Sequence, residues 1–599
     1  MNMFSNKILK LLMLLLPAAA YGQNLDPTVE VTRTFKATLM EVHKPMLGMQ
    51  VPDSVTHFDL DFDYSVFESP YNGTYEFKPY VLDMKPQPNA WSGRRLFLKA
   101  GAGYPLHPLF DFVWSPDLQG KFRMSIYAMH RSYVGGYRNI GYMVESDSPT
   151  GILDFRNKSA IDGGDRIAWK GYDLLTRAGI NGRTDWKKGV FSFDIGYYGL
   201  ATKDSLLRRG YDALDANVRV RSLSDRERYF MYDIAFDYRY GEDKLDYKLP
   251  VIGKQYLVEH NIGFGASLGP VLSRSHKVLI DIDANVAAYD ALYGHSAGLF
   301  AVTPRYVLEK GRWNLSAGVC FSLLFNGGDT SSISQEQKFT KGQYIYPDVK
   351  VGFDLVKDHM DIYAQAGGGD RTGKYSDLIS VSHFIHPMYS GVLPLLDNTV
   401  ERISAAIGLK GNIASRFDYD LRAGYRNYAN APMFAIVSAS PDMSGDYAAA
   451  LGYTGYNMLY LSLDCAWRSD DVSANANFRY SSTDVNGRQV GAAGYNPSWE
   501  VSPVMAFMAP SAFSGKVDVT YNWHKRIYAG IDCDFSLERK SSLCSLPGYA
   551  DLGVYLEFKA ARLFSIWLRG GNLLDMTVQR TPLYAESGIN FTAGICLNL

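Results

Sequence analysis

Chemistry in this chain would have to come from its 11 histidines, 5 cysteines and runs of aspartate. The densest candidate is the stretch Arg371–Thr399. It holds Ser382-His383 and His386, with Asp370 just before it and Asp397 near its end. Serine, imidazole and carboxylate can perform acyl transfer when held within hydrogen-bond reach. A stretch that reads as a loop supplies no such rigidity, so a hydrolase is the remote reading and no catalytic residue is assigned. His383-x-x-His386 could offer two metal ligands but lacks a third at short spacing. Five other histidines (His57, His107, His276, His359 and His524) fall at turns or in an acidic N-terminal segment. Cys320, Cys465, Cys533, Cys544 and Cys596 are odd in number and widely spaced, which favours buried apolar side chains over a disulfide framework. Gly367-Gly368-Gly369 ends a strand rather than joining strand to helix, so it is no phosphate loop. No metal or cofactor follows from these residues.

The elements that would position any site are strands. Val278, Ile280, Ile282, Ala284 and Val286 alternate with Leu279, Asp281, Asp283 and Asn285. Val472, Ala474, Ala476, Phe478 and Tyr480 alternate in the same way with Ser473, Asn475, Asn477 and Arg479. Period-2 alternation places one face in an apolar medium and the other in water. The pattern continues from about Arg94 to Leu599 with no Pro/Ser/Gly linker and no helical segment able to cover a sheet. It therefore predicts an all-β fold, a large transmembrane antiparallel barrel. Mean hydropathy of −0.15 suits strands that are apolar on one face only, and 14% aromatic residues suit interfacial girdles. Net charge of −1 argues against a nucleic-acid partner.

Tight turns give the strand count. Short connections fall at Ser115–Gly120, Trp186–Gly189, Leu223–Arg226, Ser273–Lys277, Glu309–Arg312, Lys357–His359, Ala414–Arg416, Arg468–Asp471, Trp523–Arg526 and Ala560–Arg562. With a first strand near Arg94–Tyr104 and a last one at Gly588–Leu599, they predict twenty-two strands, within a range of 18–22. Leu106–Ser115 and Tyr211–Arg221 are the least regular of them. Trp186, Trp313, Trp467 and Trp523 beside short turns fit a periplasmic girdle.

The chain is read as residues 1–22 signal peptide, 23–93 N-terminal arm and 94–599 barrel. Lys7 and Lys10, the apolar Leu11–Leu16 and the small-residue site Ala20-Tyr21-Gly22 form the secretory signal. The arm is β-rich and acidic. In it Asp59, Asp61 and Asp63 alternate with Phe58, Leu60, Phe62 and Tyr64. That row reads first as the solvated face of a strand, and second as a lumen-filling or partner-binding arm.

The C-terminus resembles TonB-dependent receptor barrels. Asn572-Leu573-Leu574-Asp575, Pro582, Gly588, Phe591 and the terminal strand carry the resemblance. It implies a twenty-two-strand barrel in the cell outer membrane. Such receptors hold a plug domain of well over a hundred residues, for which 23–93 is too short; the chain most resembles plugless relatives found in Bacteroidota. Thr28-Val29-Glu30-Val31-Thr32 is weakly similar to a TonB box. The leading expectation is a non-enzymatic barrel in contact with outer-membrane lipids. It would be a channel or, preferably, the membrane subunit of an envelope complex with a lipoprotein or periplasmic partner. TonB-linked uptake of a small ligand with a substitute plug is the alternative. A barrel of this width left open would breach the envelope, so something must close it.

Overall fold

The computed structural model describes residues 95–599, apart from 119, 145–152, 158–167, 187, 224–229, 249–253, 274, 291–294, 328–339, 358, 386–395, 439–446, 487–504 and 541–543. Twenty-two antiparallel strands form one closed wall, from Leu96–Tyr104 to Asn590–Asn598. These first and last strands pair with each other in continuous register, from Phe97 opposite Asn598 to Tyr104 opposite Phe591. Closure satisfies every edge, which a strand wall in lipid requires.

Each expected short connection joins two neighbouring strands of this wall. The two least regular segments are also strands, Leu109–Trp114 and Leu207–Ser222. The long-loop side also carries short connections, residues 105–108, 204–206, 248–253 and 291–294, beside its long loops. Alternation sets the faces as the sequence predicts. Ile280 and Val286 are exposed on the outer wall, whereas Leu279 and Ala287 point inward and are buried. Trp186, Trp313, Trp467 and Trp523 are exposed at the short-turn ends, and Trp114 joins them.

Glycines let the wall's aromatics lie flat on neighbouring strands. A Cβ at Gly101 would stand 2.4 Å from Trp567 Cζ2, and one at Gly594 would stand 2.6 Å from the same atom. Trp567 is 1% exposed because it fills that hollow. The triplet Gly367-Gly368-Gly369 lies within the strand Met360–Arg371, where the register shifts between Gly367 and Gly369.

The strands differ in height. Those near the closing seam run 9, 6, 8 and 9 residues, while Phe417–Ser438 and Tyr447–Arg468 run 22 each. A segment at Met505–Phe507 adds to the top of that tall hairpin, opposite Ala435–Val437. A second, four-stranded sheet is built only from loop segments: Ile140–Val144, Leu153–Asn157, Arg539–Lys540 and Cys544–Leu546. Among the described residues no helix is long and apolar enough to cross a membrane.

Candidate functional site: the closed mouth of the barrel

The long-loop end of the lumen is filled by the chain's own loops. One contiguous apolar cluster joins wall residues Leu175, Tyr198, Tyr211, Leu257 and Tyr289 to loop residues Tyr375, Leu378, Ile379 and Ile385, and to Phe434 and Leu451 of the tall hairpin. The strands of Tyr198 (Gly189–Lys203) and Leu451 (Tyr447–Arg468) stand fifth and sixteenth in the wall, half its circumference apart. A cluster reaching between opposite walls exists only where side chains occupy the lumen. The upper part of the tall hairpin belongs to this filling, since Met433, Phe434, Ala435 and Ile436 are all buried. In a simple wall, one face of such a run would be exposed.

The first element of the closure is a short helix, Tyr375–Val381, where the sequence predicts a loop. Its buried residues Tyr375, Leu378 and Ile379 have helical spacing. Charged and polar groups hold its flanks. Arg209 pairs with Asp243 at 3.0 Å, both side chains fully buried. The same guanidinium donates to the carbonyls of His383 at 2.9 Å and Ile385 at 2.7 Å. The Tyr375 hydroxyl donates to Asp243. Ser376 N–H donates to Glu259, and Lys374 to Asn285, each at 3.3 Å. Buried donors and acceptors left open cost about 1–3 kcal/mol each, so these pairings fix the loop's position as well as its chemistry.

The second element is the loop 572–589, and the family-like motif starts it. Asn572 and Asp575 take left-handed backbone angles (φ 46° and 53°), which Asn and Asp tolerate better than most residues. The Asn572 amide donates to the carbonyls of Met576 and Ser587, clamping both ends of the loop. Asp575 is ion-paired with Arg138. The loop then turns inward. Arg580 meets Asp534 at 2.8 Å and Asp551 at 2.9 Å, and it also pairs with Glu586. The Tyr584 hydroxyl donates to Asp204 at 2.7 Å. The Tyr584 ring stacks on Phe384 at 5.0 Å between centroids, with Trp169 edge-on to both. Ser382 and Thr581 share a hydrogen bond of 2.6 Å, so the two loops lock onto each other.

The small sheet is the third element. Arg539 donates to the carbonyls of Gln579 and Arg580, and Gln579 donates to Phe155 O, which ties the sheet to the C-terminal loop. Asp397 secures the remaining side. It accepts from Thr340 N–H and hydroxyl at 2.8 Å each, Asn398 N–H at 2.8 Å and Asn430 at 2.9 Å.

These positions correct the grouping considered from sequence. The carboxylate that His383 Nδ1 meets, at 2.9 Å, is Asp173, which lies outside that grouping. Asp370 is bonded to Ser322 and Tyr346, and the Ser382 hydroxyl is bonded to Thr581 and to Phe384 N–H. The candidate serine, imidazole and carboxylates are therefore each committed to structural partners. His386, the pentapeptide Thr28–Thr32 and Asp59, Asp61 and Asp63 lie outside the described residues. All 5 cysteines are free thiols. Among the described residues, no three His, Cys, Asp or Glu side chains gather as a metal site.

Away from the closure, the inner wall is lined by charge pairs. Arg219 meets Asp233 at 2.5 Å and Arg305 meets Asp281 at 2.7 Å, with Arg239 beside Asp215 and Arg422 beside Asp420. Asp281 lies inside, as the alternation along Val278–Val286 predicts. Both signs are present, as in a hydrated lumen.

A closed strand wall with an apolar exterior, an indole ring at one end and a charged interior has one environment. The chain is an outer-membrane barrel. Solved structures agree on the fold. The FrpB iron transporter from Neisseria meningitidis (F5-1 variant, apoprotein form) superposes with a TM-score of 0.60 at 8% identity, covering 86% of this chain and 82% of that one. The siderophore receptor PiuA from Acinetobacter baumannii gives 0.59 at 8% identity, over 86% and 82%. The copper transporter OprC gives 0.57 at 10% identity, over 86% and 84%. These neighbours are TonB-dependent receptors with twenty-two-strand barrels. At such identities the likeness concerns the fold alone. No family model and no curated protein matches the chain.

Proposed function

We propose that the chain is a non-enzymatic outer-membrane uptake barrel whose outer entrance is gated by its own loops. The observation that carries this reading is the apolar cluster that bridges opposite walls at the long-loop end of a charge-lined lumen. Bacterial barrels present long loops outside and short turns to the periplasm, which makes the closed end the outer one. A large barrel closed in this way suits regulated passage of a small ligand, as the transporter and receptor folds it is similar to also suggest. The gate removes the need for a partner protein as the outer seal, so uptake ranks ahead of a role as the membrane subunit of an envelope complex. In this reading residues 23–93 serve as a short lumen-filling arm in place of a plug. The pentapeptide Thr28–Thr32 is the candidate point of engagement for TonB.

Planar-bilayer recording tests the gate. The purified chain should show little conductance, and replacing residues 374–397 by a short Gly/Ser linker should open a large, stable pore. Large conductance from the unaltered chain would refute the reading. For engagement by TonB, deletion of Asp26–Thr32 should abolish energised uptake without opening the pore.

A further inference from the structure

The rim that carries the short turns is strongly basic. Each of the ten short connections carries or directly adjoins a Lys or Arg, although the whole chain has a net charge of −1. Lys310, Arg312, Arg416, Arg468, Lys525 and Arg526 are all exposed there, and none forms an ion pair among the described residues. The exposed acids of the same rim, among the described residues, are Asp117, Glu309, Asp470 and Asp471. Two of these are already taken, Asp117 by Arg95 at 2.5 Å and Glu309 by Lys277 at 3.0 Å.

The height and distribution of these cations define the partner. Arg312 directly precedes Trp313, Arg468 directly follows Trp467, and Lys525 and Arg526 follow Trp523 by two and three positions. Those tryptophans are exposed on the outer wall, and indole settles at headgroup level. The cations therefore lie in the headgroup plane. All ten connections carry or adjoin a Lys or Arg around the wall, and these six exposed cations lie between its tenth and nineteenth strands, along about half of it. At one apex, His524 and Lys525 occupy left-handed backbone (φ 49° and 57°), a region where Asn and Gly are more comfortable.

We propose that this rim is a binding ring for the phosphates of anionic phospholipids in the periplasmic leaflet. Juxtamembrane Lys and Arg attract anionic headgroups over about a Debye length, and a ring of them selects such lipids from a mixed leaflet. The chain's own acidic arm is the competing occupant. That arm joins the wall at a single point, before Leu96, whereas the six exposed cations begin at the tenth strand and extend along about half the wall in the plane of the indoles.

The test reconstitutes the full chain in nanodiscs of phosphatidylcholine with a minor fraction of phosphatidylglycerol, then measures the lipid that stays bound after detergent extraction. The chain should retain phosphatidylglycerol over bulk by about fivefold for each headgroup held by one cation, and raised salt should weaken the preference. The variant K310Q/R312Q/R416Q/R468Q/K525Q/R526Q should lose the preference while keeping the heat-modifiable gel mobility of a folded barrel. If that variant does not fold, R416Q/K525Q/R526Q should lose part of it. Undiminished enrichment in a folded variant would overturn the proposal. So would enrichment that appears only in D59N/D61N/D63N, because the arm would then be the ring's occupant.

Discussion

Replacing Arg580 with alanine should unlatch the outer mouth. The guanidinium is 12% exposed and faces three carboxylates, Asp534, Asp551 and Glu586, whose exposures are 24%, 18% and 42%. Its removal leaves those charges clustered without a cation. Breaking a fully buried pair from one side costs about 3–5 kcal/mol. Partial exposure screens this group, so roughly 2–3 kcal/mol is the appropriate scale. If the open state solvates the three acids freely, the ratio of closed to open barrels falls roughly 30- to 150-fold. Planar-bilayer recording should show this as a matching rise in open time, and amide hydrogen exchange over 576–586 should accelerate. Arg580→Lys should fall between, because an ammonium cannot reproduce the guanidinium's several directed bonds. Adding Asp551→Asn and Glu586→Gln to R580A should recover much of the closure by removing the repulsion. Closure and exchange in R580A equal to wild type would refute this account of the gate.

Three further outcomes follow from the same structure. Although its side chain is partly exposed, desolvation within the mouth pushes the Glu586 carboxyl up to about 6, with Arg580 opposing the rise and Asp551 and Asp534 adding to it. The closed state thus binds this proton more tightly than an open, solvated glutamate does, so closure strengthens as pH falls through about 6. Bilayer openings should be rarer at about pH 5 than at about pH 7.5, and E586Q should flatten that dependence; an unchanged profile in E586Q would exclude the group. Gly101→Ala would set its Cβ 2.4 Å from Trp567 Cζ2 and 2.7 Å from Ala593 O, and overpacking of this kind costs about 1–3 kcal/mol. Its heat-modifiable transition should move to lower temperature. Ala414 and Ser415 hold a tight turn at φ 54° and 56°, so Asn-Gly in their place should raise stability by roughly 1–2 kcal/mol. The urea midpoint should rise with an unchanged slope.

The sequence by itself determined the wall. Alternation is local, because lipid on one side and water on the other act on every second residue, and turn chemistry punctuates it. This is why all ten short turns, the strand number and the inward acid Asp281 are legible. Leu106–Ser115 was legible only approximately, since Pro105 and Pro108 blur its start. The Asn572–Asp575 motif was visible as a resemblance, while its work as a loop clamp was not. Only the tertiary structure decided what closes the barrel. Arg580 meets Asp534 and Asp551 across 46 and 29 residues, and His383 finds Asp173 across 210. Pairings across a lumen depend on where distant loops meet and leave no period in the chain. Loops rich in Gly, Ser, Asn and Asp look alike whether they wave in solvent or fold inward. Their direction is set by complementary partners on opposite walls, which come together only once the barrel has closed.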